Sequence, residues 1–176
     1  MTVYKVDPMH SSIEFRIKHL MITTVSGHFL EYNASIETVR EADDFNDAII
    51  QFSADVASLN TGVADRDTHL KSAEIFDVAR WPKIYYTSKA VVKNSYGDYD
   101  ITGIMTVKNV TRDLKLRGVY KGIGVDIHGV KKHGFEVDGQ LSRRDFDLHI
   151  SNFNGAGNTL VDDTVKLIVN AQMMAL

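Results

Sequence analysis

The chain has 176 residues, enough for one full domain with a sizeable core and too few for two comfortable ones, so one domain over 1–176 is expected. A formal net charge of −3 lacks the basic excess of a nucleic-acid binder, and no window approaches the roughly 18 consecutive apolar residues of a membrane span. Cysteine is absent, which removes thiol nucleophiles, disulfides and cysteine metal sites together, and the first residues carry no apolar leader segment, so a cytoplasmic location is expected.

Alternation of apolar and polar residues predicts strands with one buried face. The first holds Ile13, Phe15 and Ile17 against Glu14, Arg16 and Lys18, and His19 continues the inward parity toward a barrel mouth. The second, from about Thr23 to Thr38, places Val25, Gly27 and Phe29 in phase, then resumes as Tyr32, Ala34 and Ile36 one residue out of step. A phase slip of that kind marks a bulge, here near Leu30–Glu31. A third strand carries Ile50, Phe52, Ala54 and Val56.

Turn and cap residues from Ser58 to Gly62 then lead into a short helix, about Ala64 to Ala73, whose Leu70, Ala73 and Phe76 should close one end of the barrel. Trp81-Pro82 ends the excursion. The fourth strand offers Ile84, Tyr86, Ser88, Ala90 and Val92, and the fifth, Tyr99 to Val107, offers Ile101, Gly103 and Met105. The sixth, about Thr111 to Gly122, carries Leu114, Leu116, Gly118 and Tyr120. Phe135, Val137, Gly139 and Leu141 form the seventh, and Val165, Leu167, Val169, Ala171 and Met173 the last.

Eight strands with mostly short connections predict an all-β fold, an eight-stranded antiparallel closed β-barrel with one short α-helix. A two-sheet sandwich would show the same alternation. Glycine recurs on the inward parity at Gly103, Gly118 and Gly139, which is expected to leave an apolar lumen open to a long-chain ligand. Small barrels also alternate large and small residues to fit their taper, which would leave the lumen filled.

Catalytic signatures are thin. In Asp65-Arg66-Asp67-Thr68-His69 a general base would need Asp67 to face His69, and two residues of separation on a helix do not allow that. Arg66 and Asp67 are instead expected to anchor the helix to the barrel rim. The histidines form no helical i, i+4 pair for a metal, and there is no G-x-S-x-G elbow. The competing function is an enzyme acting on a bound isoprenoid lipid through His19 or His69.

Several motifs stand in order along the chain: Val6-Asp7-Pro8-Met9-His10-Ser11, Phe15-Arg16-Ile17-Lys18-His19-Leu20, Val25-Ser26-Gly27-His28-Phe29 and Ser58-Leu59-Asn60-Thr61-Gly62. Arg66-Asp67-Thr68-His69-Leu70, Phe76-Asp77, Trp81-Pro82-Lys83-Ile84, Ile101 to Arg112, Arg143-Arg144-Asp145-Phe146 and Val161 to Val165 follow. Together they resemble the YceI-like family from end to end. The resemblance implies a lipocalin-like barrel enclosing an apolar tunnel for polyisoprenoids, isoprenoid quinones or related long-chain amphiphiles, often as a homodimer. It implies no catalytic residue, no metal and no cofactor other than the bound lipid.

The residues expected to line the tunnel are Ile13, Phe15, Ile17, His19, Phe29, Phe52, Val56, Phe76, Tyr86, Ile101 and Met105. Leu116, Phe135, Val137, Leu141, Phe146, Val165, Leu167 and Val169 complete the set. Two departures from the family stand out. Many relatives carry a secretion signal, and many have glycine where Asp147 follows the Arg-x-Asp-Phe motif.

Overall fold

The computed structural model describes residues 1–40, 44–150 and 160–176. Among the described residues, eleven strands follow one another as β1 (Thr2–Val6), β2 (Ser12–His19), β3 (Thr23–Phe29), β4 (Tyr32–Thr38), β5 (Ile49–Asp55) and β6 (Leu59–Asn60). After helix α1 (Ala64–Lys71) come β7 (Lys83–Lys93), β8 (Tyr99–Val107), β9 (Val110–Val125), β10 (Lys131–Ser142) and β11 (Val161–Ala175). All pairings are antiparallel, and eight of the strands close a ring in the order β1-β4-β5-β7-β8-β9-β10-β11 and back to β1. The ring decides between barrel and sandwich.

Eleven strands make eight staves because three staves are interrupted. β11 pairs with β1 near its C-terminal end, through Tyr4↔Ala175 to Val6↔Met173, and with β2 along the rest, from Val161↔His19 to Asn170↔Ser12. β1 and β2 therefore act as one stave broken over residues 7–11. β3 and β4 form a second, broken at Leu30–Glu31, since β3 pairs with β2 and β4 with β1. The phase slip is thus a break rather than a bulge within one ladder. Ser58 spans it: its hydroxyl oxygen accepts the backbone N–H of Leu30 at 3.1 Å and of Glu31 at 2.9 Å. The third stave is β5 continued by β6, which returns to pair with β3 through Phe29↔Leu59. The sequence reading missed β1, although Tyr4 and Val6 alternate inward and are 4% and 9% exposed.

The first break is knitted by polar groups. Asp7 N–H donates to the Gln172 carbonyl, and its carboxylate accepts Met9 N–H at 3.1 Å, His10 Nδ1 at 3.0 Å and Lys132 Nζ at 2.9 Å. Ser11 and the Tyr32 hydroxyl brace the same turn. The hydrogen bonds from Lys132 and His10 hold the Asp7 carboxyl down at about 2, against an ordinary 3.8. A carboxylate whose folded pKa is depressed stabilises the fold above its unfolded pKa and loses that contribution as pH falls through the folded one. Asp7→Asn is expected to lower stability by roughly 1–2 kcal/mol near neutral pH, after allowance for solvent screening. The deficit should shrink between pH 3.8 and about 2, read from urea midpoints at each pH.

The other departure resolves at the end of β10. The Arg143-Arg144-Asp145-Phe146 motif forms a short 3-10 turn, and Asp147 follows it in the left-handed region at φ 56° with its N–H on the Arg144 carbonyl. That conformation is the one glycine adopts without steric cost. The turn survives here, with the Asp147 carboxylate 2.6 Å from His149 Nε2 and 3.9 Å from Lys108 Nζ. The Asp147 carboxylate is exposed in both contacts, which are therefore worth little. Asp147→Gly is expected to be neutral or to gain up to about 1 kcal/mol in thermal unfolding, as backbone relief outweighs two weak ion pairs.

Candidate functional site

Inward-facing side chains of the ring meet around an apolar lumen made of two chambers. The upper chamber, about 160 Å³, lies between Ile36, Ile50 and Phe52 on one side and Phe135, Val137 and Val169 on the other. The lower chamber, about 480 Å³, lies between β2 and β3 and the segment around α1. Phe29, Ile84, Met105 and Leu167 line both and form a waist between them.

The residues expected to line the tunnel sort accordingly. Ile13, Phe52, Tyr86, Ile101, Leu116, Phe135, Val137 and Val169 face the upper chamber. Phe15, Ile17, His19, Phe76, Leu141, Phe146 and Val165 face the lower one, and Phe29, Met105 and Leu167 stand at the waist. Val56 lines neither; at 1% exposed it belongs to the packed core. Sequence reasoning missed Phe45, which sits between β4 and β5 outside any strand, and Ile75 in the turn after α1, where neither periodicity reaches.

The inward glycines do not open the lumen by leaving gaps. Each is occupied by a large neighbour: the Phe15 ring lies over Gly27, the Tyr86 phenol over Gly103, Ile101 Cδ1 over Gly118 and Leu116 over Gly139. Gly27 and Gly139 stand directly across the ladder from the residues that cover them. A Cβ at Gly103 would also run into the Thr87 carbonyl, beside the irregularity between Ser88 and Ala90. The glycines let bulky side chains lie flat against the wall, so the space saved appears toward the axis.

The two ends close differently. Behind the upper chamber, Phe45 meets Phe135 edge-on at 4.8 Å and Tyr4 at 5.6 Å, and its backbone N–H donates to the Tyr99 hydroxyl at 3.2 Å. Tyr120 stacks on His133, with its hydroxyl 3.0 Å from Nδ1. At the lower end, Leu70, Ile75 and Phe76 face the chamber while Ala73 is exposed, so the plug continues past the helix rather than following its periodicity. Arg66 donates to the Thr61 hydroxyl and carbonyl at 2.7 and 2.8 Å. Asp67 accepts the Thr61 N–H at 2.9 Å, so both residues tie α1 to the end of β6. His69 bonds Glu74, not Asp67. His19 and His69 border the lower chamber among Thr23, Thr61 and Arg66, its polar rim. Among the described residues, no group of three or more His, Cys, Asp or Glu is placed to hold a metal, and no helix is long and apolar enough to cross a membrane.

One polar atom is sealed in the wall beside the upper chamber, over Gly103. Tyr86 is 5% exposed, and among the described residues its hydroxyl is the buried side-chain group without a hydrogen-bond partner. Burial pushes that phenol up to about 12, so it is a protonated donor at physiological pH. Leaving such a donor unsatisfied costs about 1–3 kcal/mol.

The comparisons with known proteins fit this geometry. The chain is 34% identical over 147 residues to Protein YceI of Salmonella newport, covering 82% of this chain and 75% of that protein. Its fold matches Burkholderia cenocepacia BcnA with a TM-score of 0.81 at 18% identity, over 95% of this chain and 98% of the other. It also matches a polyisoprenoid binding domain from Saccharophagus degradans, with a TM-score of 0.70 at 16% identity over 98% of each chain. The profile of the YceI-like domain spans residues 4–173, from the first strand of the ring to the last, and the chain therefore belongs to the YceI-like family.

Proposed function

We propose that the protein binds a long-chain apolar molecule, a polyisoprenoid, isoprenoid quinone or fatty amphiphile, lengthwise in the two-chambered lumen, as a binding protein for storage, transport or sensing. The observation that carries this reading is the continuity of the apolar lining through the waist of Phe29, Ile84, Met105 and Leu167. The polyisoprenoid binding named for the Saccharophagus degradans domain supports it. So does the energy scale. An isoprene unit contributes about five carbons, and at roughly 0.8 kcal/mol per buried methylene each gains on the order of 3–4 kcal/mol on leaving water. Three or four units approach the roughly 12 kcal/mol of a nanomolar complex before association costs are subtracted. Few polar contacts are then needed, and selectivity follows from length, width and the chemistry of the ends.

The test is native mass spectrometry of freshly purified protein, followed by organic extraction. A bound long-chain molecule, or stoichiometric uptake of an added quinone or fatty amphiphile, is the expected result. Protein that is ligand-free and takes up neither would end this reading.

A further inference from the structure

We propose that the turn between β2 and β3 is a membrane-docking tip: Leu20, Met21 and Ile22 enter the interfacial layer of a phospholipid bilayer and set the mouth of the lower chamber against the source of its ligand. The cargo rests on the lumen being a lipid site; the bilayer contact rests on the turn itself.

Ile22 N–H donates to the His19 carbonyl at 3.2 Å, and the two residues between them, Leu20 and Met21, both stand in the left-handed region, at φ 53° and 60°. That is the backbone of a type I′ hairpin turn, which Asn-Gly fills readily and which leucine and methionine occupy at a steric penalty. Gly97 and Gly129 supply the left-handed conformation in the β7–β8 and β9–β10 connections. The other non-glycine cases among the described residues, Asp47, Asp77, Lys108 and Asp147, are polar. The core gains little in return, because all three side chains of the turn are exposed, Ile22 by 79%. Strain held where the fold gains little points to a task outside the fold. Place and chemistry name the partner. His19 and Thr23, which flank the turn and pair across the hairpin, line the polar rim of the lower chamber. A ligand carrying three or four isoprene units resides in bilayers rather than in water, so an apolar tip at this mouth faces the ligand's reservoir. Near the tip stand two cations without a carboxylate partner among the described residues: exposed Lys18, and Arg66, which bonds Thr61. Asp67, Glu74 and Asp163 are engaged by Thr61, His69 and Ser142, while Asp65 is left exposed. A bilayer suits this arrangement, its acyl boundary taking the apolar tip and its phosphates the cations.

The double variant Leu20→Asn/Met21→Gly installs the residues that the turn favours, so it should melt no lower than wild type while removing apolar surface from the tip. Two readouts are compared: flotation with mixed phosphatidylcholine and phosphatidylglycerol vesicles, and loading of a fluorescent fatty probe from those vesicles or from a soluble cyclodextrin complex. Wild-type protein is expected to float with the vesicles and to load from them at a rate that rises with vesicle concentration. The variant should bind vesicles about tenfold more weakly, load from them about tenfold more slowly and load from cyclodextrin unchanged. Wild-type protein that stays off the vesicles, equal slowing with both donors, or a variant that melts lower would overturn the proposal. A wild-type dimer in sedimentation that the variant abolishes, with no flotation, would assign the tip to a second copy of the chain instead. Probe taken from neither donor would overturn the lipid reading, while flotation still decides the docking.

Discussion

Leu167→Trp is expected to cut the affinity for a chain that spans both chambers by about a thousandfold, while a short chain confined to the lower chamber keeps most of its affinity. Leu167 lines both chambers, and on the sheet it lies between Phe15 of β2 and Gly139 of β10. An indole there narrows the waist against Phe29, Ile84 and Met105 and excludes the ligand from the upper chamber. About five methylenes returned to water at roughly 0.8 kcal/mol each amount to about 4 kcal/mol, which is the thousandfold. The side chain enlarges into space rather than into close packing, so the fold should lose no more than the about 1–3 kcal/mol typical of overpacking. Displacement of a fluorescent fatty probe by homologous long and short chains reads both numbers. Parallel losses for the two would mean that the waist is not on the ligand's path.

Arg143→Met should be the most damaging single change to the fold, with a loss of about 3–5 kcal/mol in denaturant unfolding. Arg143 is 3% exposed and donates to the carbonyls of Asp162, Leu148 and Val161 at 2.9, 2.8 and 3.2 Å. Burial pulls the guanidinium below its usual range, yet it is held by three backbone acceptors, each of which loses this donor when the side chain is replaced. Methionine keeps the apolar stem and removes every donor. Arg143→Lys, with one compact head in place of a planar fork, should recover only part of the loss. The lower chamber reports the damage as well, because the same turn positions Phe146, 2% exposed, and Leu148 against it.

Alternation carried most of the barrel because each stave buries one face over seven or more residues, long enough for the period to show. It failed at β1, five residues long, where only Tyr4 and Val6 point inward. The slip at Leu30–Glu31 was legible as a change of phase. What holds it was not, because Ser58 lies 27 and 28 residues away in sequence. The inward glycines were legible as positions and misread as vacancies, since parity says which way a residue faces and nothing about which neighbour leans over it. Phe45 contacts Tyr4, Tyr99, Tyr120, His133 and Phe135, and it lies in a connection with no periodicity of its own. Tyr86 was placed on the inner face by parity, but whether its hydroxyl would find a partner depended on Gly103 of the next strand.

The seam of the ring has a kinetic consequence. β11 follows every other stave in sequence and zips onto β1 and β2, the earliest, across well over a hundred intervening residues. Neighbouring staves such as β8 and β9 close a turn of two residues between Val107 and Val110. Loop-closure entropy grows only slowly with length, yet it must be met before the distant contacts return any energy, and folds dominated by such pairings form on millisecond to second timescales. The meander from β7 to β10 can assemble early as local hairpins. The lumen cannot exist until the last strand docks, so a lipid meets an enclosed tunnel only after the slowest event in the molecule's assembly. Refolding followed by ligand fluorescence should therefore lag refolding followed by far-ultraviolet circular dichroism.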